Sequence, residues 1–112
     1  MEDISYNELN VILAERRPVT VVFVYTPLCG TCKVAKDMIS IVQATHESLP
    51  IFSVNINHSP SFAQNWKIKS VPCLLIFQKG LGVERVYAFQ SIGFIHHVLK
   101  PYAAAVALDQ EK

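Results

Sequence analysis

Residues 19–38 read Val-Thr-Val-Val-Phe-Val-Tyr-Thr-Pro-Leu-Cys-Gly-Thr-Cys-Lys-Val-Ala-Lys-Asp-Met. The run from Val19 to Tyr25 is built from β-branched and aromatic residues and stops at Thr26-Pro27. Two cysteines, Cys29 and Cys32, follow with two residues between them, and a helical pattern begins there. The spacing predicts a strand, a short loop, and a dithiol at the start of a helix. The first backbone N–H groups of a helix lack intrahelical partners, and the helix dipole places partial positive charge at that end. A thiolate held there is stabilised relative to its thiol. Cysteines in such settings ionise at about pH 7 or below, against ~8.5 for a free thiol.

The separation of the two cysteines has its own consequence. Positions three apart on a helix lie on one face, displaced by one turn. Their sulfurs can then reach disulfide geometry, which needs Cα atoms within about 4.4–6.8 Å. Cys29 is expected exposed, as the attacking thiol, and Cys32 more covered, as the thiol that resolves the mixed disulfide. Two ordinary buried cysteines, or half of a zinc site, are the competing readings of the same pair.

Length and composition frame this reading. A chain of 112 residues with 51% hydrophobic and 17% charged residues is a single globular domain, 1–112, with about 102–112 as a C-terminal extension or tail. The net charge is +1 and the basic residues are scattered, which argues against a nucleic-acid footprint. No apolar stretch reaches the ~18 residues that a membrane helix needs. Met1-Glu2-Asp3 has neither the basic nor the apolar region of a signal peptide, so a cytoplasmic protein is expected. Three cysteines in a reducing compartment point to reactive thiols over a structural disulfide framework.

In chain order, Ser5-Tyr6-Asn7-Glu8 has the form of a capping box, and Leu9, Ile12 and Leu13 recur at helical spacing. This predicts a helix over about 6–16, ended by Arg16-Arg17-Pro18, then a strand over 19–25 buried on both faces. A second helix over about 29–47 carries a core stripe of Ala35, Met38, Ile39 and Val42, with Lys33, Lys36 and Gln43 outward. Ile51 to Ile56 reads as a strand. Ser59-Pro60 reads as a cap and first turn of a short helix over about 60–67. Leu74 to Phe77 is a buried strand, Lys79-Gly80 a turn, and Val83 to Ala88 an alternating edge strand. A last helix starts at Ser91 and is expected to kink or end at Pro101, then resume in the alanine-rich tail, with Asp109 to Lys112 frayed. Trp66, Phe52, Phe62, Phe77 and Phe94 are core candidates.

Strands that alternate with crossover helices pair in parallel, and the two strands about Gly80 form an antiparallel hairpin. The fold class is therefore α/β, with a central mixed sheet of four to five strands flanked by helices on both faces. From about residue 5 to residue 100 the chain resembles the thioredoxin family. The resemblance rests on Cys29-Gly30-Thr31-Cys32-Lys33 after an apolar strand and on Val71-Pro72 about forty residues later. Lys79-Gly80 and Asn55-Ile56-Asn57 add to it. It implies the thioredoxin fold, a cis Pro72, and a substrate groove formed with Val71, Pro72 and Leu28. It further implies reduction of protein disulfides through Cys29 and Cys32, with no cofactor. The dithiol would be re-reduced by a thioredoxin reductase or a small-thiol donor.

The chain departs from the family pattern at several places. Leu28 stands where the family has tryptophan, and Thr31 where it has proline. Thr31 keeps a backbone N–H that can stabilise the thiolate, so the couple is expected to be less reducing than thioredoxin's roughly −270 mV. Phe23 replaces a buried acid, and Ser53 replaces that acid's lysine partner. Slow resolution by Cys32 follows, because phenylalanine accepts no proton and desolvates its surroundings. Ala88 stands where a glycine is common, which would make the groove wall bulkier. Cys73 directly follows Pro72 as a possible third thiol: a packed core residue, a redox partner of Cys29 or Cys32, or a ligand beside them. Zinc needs four ligands, or three and water. His46, His58, His96 and His97 show no spacing that completes such a site, and none is expected. These departures leave a second function open, a thioredoxin-fold redox-sensing or adaptor module with little turnover.

Overall fold

The computed structural model describes residues 1–110. In chain order the elements are β1 (Glu2–Asp3), α1 (Tyr6–Ala14), β2 (Thr20–Tyr25), α2 (Gly30–Thr45), β3 (Ile51–Asn55), a 3-10 turn (Ile56–His58), α3 (Pro60–Asn65), β4 (Cys73–Gln78), β5 (Leu81–Val86) and α4 (Ile92–Gln110). They form one five-stranded sheet in the order β1-β3-β2-β4-β5. β3 pairs in parallel with both β1 and β2, while β4 runs antiparallel to β2 and β5. The mixed sheet and its helical cover are those expected from the sequence.

Alternation along β2 divides the core into two. Val21 and Phe23 face one cluster, with Cys32, Ala35, Ile39 and Val42 of α2 and Ile95 and Leu99 of α4. Val22 and Val24 face the other, with Leu9 of α1 and Phe62 of α3. A strand that buries both faces has no polar side to alternate with, hence the unbroken apolar run. Of the aromatic core candidates, Phe62 and Phe77 are fully buried, whereas Phe52, Trp66 and Phe94 pack at the margins.

Several boundaries differ from the sequence reading. β1 was not expected, because two acidic residues carry no strand signal; it is held by pairing to β3 and by Tyr25, whose hydroxyl donates to Asp3 Oδ1 at 2.9 Å. α1 ends at Ala14, and Arg16 already has a φ of 53°. Ser5 and Glu8 do close the expected capping box. Ser59 precedes α3 but makes no side-chain cap bond. β5 lies two residues earlier than expected and is exposed along its length except at Val86. It is an edge strand with a bulge opposite Ile76 and Phe77, so register and burial do not alternate cleanly. The preceding turn needs its glycine: Gly80 has a φ of 82°, and a Cβ there would lie 2.5 Å from the Leu13 carbonyl oxygen.

Pro101 does not end the last helix. α4 is continuous through it from Ile92 to Gln110. An interior proline forfeits one helical hydrogen bond and crowds the carbonyl four residues back, at about 3 kcal/mol. Here the turns beyond it are anchored: Ala103 and Val106 are buried, and the Tyr102 hydroxyl donates to Glu84 Oε1 at 2.6 Å. Fraying was expected from Asp109; Asp109 and Gln110 are helical, and Glu111 and Lys112 lie outside the described residues. Val106 therefore belongs to the core, at 8% exposed. Val106→Asp lowers the unfolding free energy by about 2–3 kcal/mol, read as a shift of the urea midpoint at unchanged slope.

Candidate active site

β2 delivers the chain to Thr26-Pro27-Leu28, and Cys29 caps the helix that follows. Its backbone is extended (φ −88°, ψ 111°), and its Sγ accepts the Cys32 backbone N–H at 3.2 Å. This is the geometry of an N-cap, with sulfur in the place that serine or aspartate oxygen usually fills. Thr31 Oγ1 also lies 3.2 Å from Cys29 Sγ. Cys29 is half-buried, and Cys32, one turn inside, is 3% exposed. All three cysteines are free thiols.

The two sulfurs are driven apart in acidity. Cys29 is held below the ordinary thiol range, first by a hydrogen bond from the Cys32 thiol and then by one from the Thr31 hydroxyl; partial burial opposes this, and the backbone N–H groups of Cys32 and Thr31 help. Cys32 is pushed up to about 11, first by burial and then by its bond to Cys29, with the Thr26 backbone opposing. Of the two thiols, Cys29 is therefore the one that ionises first. Sequence reasoning attributed the thiolate to the helix backbone alone. The structure adds two side-chain donors, and the Thr31 hydroxyl among them was not foreseen.

Removing that hydroxyl has a readable effect. Alkylation runs through the thiolate, so raising the Cys29 pKa slows it at neutral pH and leaves it unchanged where both forms are fully ionised. Thr31→Val is expected to slow iodoacetamide labelling of Cys29 about threefold at pH 6.5, with the two rates converging above pH 10. Equal rates at pH 6.5 remove Thr31 from the site.

Below the dithiol lies Phe23, 1% exposed and part of the cluster that contains Cys32. It stacks on Tyr25 (5.9 Å, 6°) and meets Phe89 edge-on (6.0 Å, 82°). Ser53 sits directly opposite Phe23 in the β2–β3 register. Its hydroxyl donates to Asp3 Oδ1 at 2.8 Å, so that carboxylate serves Ser53 and Tyr25 together. The Tyr25 hydroxyl is pushed up to about 12, chiefly by burial and then by Asp3.

The Val71–Pro72 peptide bond is cis. Pro72 borders an open groove of about 390 Å³, shared with Thr31, Val34, Met38, Tyr87 and Phe89. Of the three residues expected to shape a groove, Pro72 lines it. Val71 packs half-buried between the two cores, and Leu28 projects from the surface beside Cys29, 98% exposed. The far wall is Tyr87 and Phe89; Ala88 is exposed and does not line it. Sequence reasoning missed Val34 and Met38, although 31, 34 and 38 have helical spacing and mark one flank of α2. Nothing in the sequence marked Tyr87.

Cys73 does not join the pair. It is fully buried in the cluster on the opposite face of the sheet, registered against Val24, while Cys32 packs on the Phe23 face. Burial pushes its thiol up to about 11, opposed by the charge of Arg85 and a bond from the Tyr87 hydroxyl. Among the described residues no group of three or more His, Cys, Asp or Glu side chains could hold a metal ion. His46 and His96, fifty residues apart in sequence, stack on each other with Nε2 and Nδ1 at 3.4 Å.

A family model for thioredoxin matches residues 2–99. This chain belongs to the thioredoxin family. Among its relatives, the thioredoxin-like protein YusE of Bacillus subtilis is 35% identical over 107 residues, covering 96% of this chain and 98% of that one. Thioredoxin 1 of Synechococcus elongatus is 33% identical over 76 residues, 67% of this chain and 70% of its own. The fold matches the oxidised thioredoxin of Plasmodium falciparum with a TM-score of 0.81 at 16% identity, over 92% of this chain and 98% of that structure. Chloroplastic thioredoxin z matches with a TM-score of 0.79 at 19% identity, over 93% and 95%. A thiol–disulfide oxidoreductase role follows in general terms from family and fold. Among the described residues no helix is long and apolar enough to cross a membrane.

Proposed function

We propose that this single-domain member of the family reduces protein disulfides by dithiol exchange at Cys29 and Cys32, in the cytoplasm. The observation that carries the reading is the geometry of the pair: Cys29 Sγ caps the helix, accepts the Cys32 backbone N–H and lies 3.2 Å from Thr31 Oγ1, while Cys32 is buried one turn inside. The Cys29 thiolate attacks one sulfur of the substrate disulfide. A Cys29–substrate disulfide forms, and the other substrate sulfur leaves as thiolate. Cys32 then gives up its proton, which that departing thiolate can accept, and attacks Cys29 Sγ. The Cys29–Cys32 disulfide forms and the second substrate thiol is released. Two electrons pass to the substrate, and a thioredoxin reductase or a small thiol returns them. With the thiolate of the reduced form so well bonded, its couple is less reducing than roughly −270 mV.

Insulin precipitation in the presence of dithiothreitol tests this. Turnover well above that of a Cys29→Ser control is the expected result, and turnover equal to the control rejects it. Phe23 favours a second reading: at that place nothing accepts a proton from Cys32. A dithiol that oxidises but turns over slowly would serve as a redox sensor or adaptor, and the same assay separates the two.

A further inference from the structure

Tyr87 belongs to two parts of the molecule at once. It packs against the cluster that holds Cys73, and it borders the groove together with Pro72. Its hydroxyl oxygen accepts the Lys69 backbone N–H at 3.2 Å and Arg85 Nη1 at 3.2 Å. Arg85 Nη1 also donates to the Lys67 carbonyl oxygen at 3.0 Å. Arg85 stands opposite Leu75 in the β4–β5 register, so the guanidinium works from the Cys73 face of the sheet, away from the dithiol. Burial pushes the Cys73 thiol up, and the Arg85 charge and the Tyr87 hydroxyl oppose it; Cys73 is the residue after Pro72.

These bonds fall on one stretch of chain. α3 ends at Asn65 and β4 begins at Cys73, and residues 66–72 between them form no helix or strand. The stretch leaves α3 at Ile68, whose N–H donates to the Ala63 carbonyl oxygen at 3.0 Å, and it turns at Lys67, which has a φ of 51°. Backbone groups outside helices and strands need side chains or water as partners. Lys67, Lys69 and Ser70 are exposed, and Val71 and Pro72 are half-buried, so packing alone does not fix the stretch. Segments with few buried contacts are those that open locally. Here the Lys67 carbonyl and the Lys69 N–H are held by two side chains from the far side of the β4–β5 hairpin.

The groove depends on that stretch. Pro72 forms one side of it and Thr31 another, and Thr31 Oγ1 lies 3.2 Å from Cys29 Sγ. A shift of Pro72 changes the gap beside the attacking sulfur. We propose that the Tyr87 hydroxyl, with Arg85 behind it, is a positioning group for substrate binding: it fixes residues 67–72 before substrate arrives, so that Pro72 already stands where a bound segment needs it. The proposal rests on the reductase reading for its chemistry, the two-electron exchange written above. A wall ordered in advance spares the substrate the cost of ordering it. Loss of the hydroxyl therefore weakens binding and leaves the steps at the sulfurs alone.

Tyr87→Phe tests this, because the ring stays and only the hydroxyl goes. Tyr102→Phe is the control: it deletes another tyrosine hydroxyl bond to β5, the one to Glu84, and does not touch residues 67–72. With insulin and dithiothreitol, Tyr87→Phe raises KM about fivefold and keeps kcat within twofold of the parent. Iodoacetamide labels its Cys29 at the parent rate. Hydrogen exchange at the Lys69 amide quickens about tenfold, while the β2 amides, which report the folded core, exchange as in the parent. Arg85→Met moves KM in the same direction, and Arg85→Lys recovers part of the loss. An unchanged KM, a loss confined to kcat, or an equal rise of KM in Tyr102→Phe overturns the proposal.

Binding is read apart from chemistry by fluorescence anisotropy, with labelled, alkylated insulin B chain and a variant carrying both Cys29→Ser and Cys32→Ser. Weaker binding once Tyr87→Phe is added supports the positioning role even if the parent reduces no insulin, an outcome that rejects the reductase reading alone. Equal affinities, absence of binding included, overturn the positioning role even if reduction is fast.

Discussion

A Cys32→Ser variant carries a protein disulfide only as far as the mixed disulfide, and its turnover with dithiothreitol falls at least about 100-fold below the parent. The first step survives because serine still places a hydroxyl donor beside Cys29 Sγ, and the position 32 backbone N–H at 3.2 Å is untouched. Iodoacetamide should therefore label Cys29 at pH 7 within a few-fold of the parent rate. The second step fails because it is intramolecular. Cys32 is already one helical turn from its target, and a thiol from solution must replace an effective molarity that can reach about 10⁵ M or more. Mass spectrometry of the intact protein after mixing with an oxidised substrate reads the trapped adduct directly. Turnover within tenfold of the parent would remove Cys32 from the resolving role.

The same geometry fixes a pH signature in the parent. Cys29 is held below the ordinary thiol range and Cys32 above it, so attack levels off at a lower pH than resolution does. Burial, the largest cause of the raised Cys32 value, persists when Cys29 is in the mixed disulfide, so the ionised fraction of Cys32 still grows as pH rises into the alkaline range. Attack should level off while resolution continues to climb. Mixed disulfide then accumulates most at low pH and least at high pH. Rapid-quench counting of the adduct at pH 6.5 and pH 9.5 tests the sign.

What the sequence revealed, and what it hid, divides along the range of the interactions. Strand β2, the dithiol and helix α2 were legible because each signal is local: β-branched residues, a proline stop, and two thiols at a helical interval. The parallel β2–β3 pair and the antiparallel β4–β5 hairpin followed from element order, whereas the antiparallel pairing of β4 with β2 did not. β1 was invisible, since Glu2 and Asp3 become a strand by pairing with β3, with Tyr25 and Ser53 both donating to one Asp3 carboxylate oxygen. Pro101 misled for the complementary reason: its local penalty is real, but Ala103 and Val106 are buried beyond it. The groove fared similarly. Cys73 neighbours Pro72 in sequence, yet strand alternation sends its sulfur to the opposite face of the sheet, while Tyr87 and Phe89 arrive from a distant loop.

Phe23→Asp tests both the core and the chemistry, with opposite signs. Phe23 is 1% exposed and packed between Tyr25 and Phe89. Deleting a buried aromatic ring costs about 3–5 kcal/mol, and an unpartnered carboxyl there adds about 1–3. A domain of this size has about 5–15 kcal/mol to lose, so the variant should unfold at much lower urea. Burial raises the carboxyl's folded pKa above the unfolded ~3.9. A raised folded value means that the folded state holds the proton longer. The variant's deficit against the parent is then smallest below pH ~4 and widens as pH rises through the folded value. Where enough of it stays folded, ionised Asp at position 23 can take the Cys32 proton, so resolution of the mixed disulfide should quicken severalfold at pH 8. Phe23→Leu separates the effects, because it opens space without adding a base. Ser53 lies opposite in register, so adding Ser53→Lys should recover part of the lost stability by pairing with the new carboxylate. If Phe23→Asp resolves no faster than Phe23→Leu, the slow step in this protein has another cause than the missing acid.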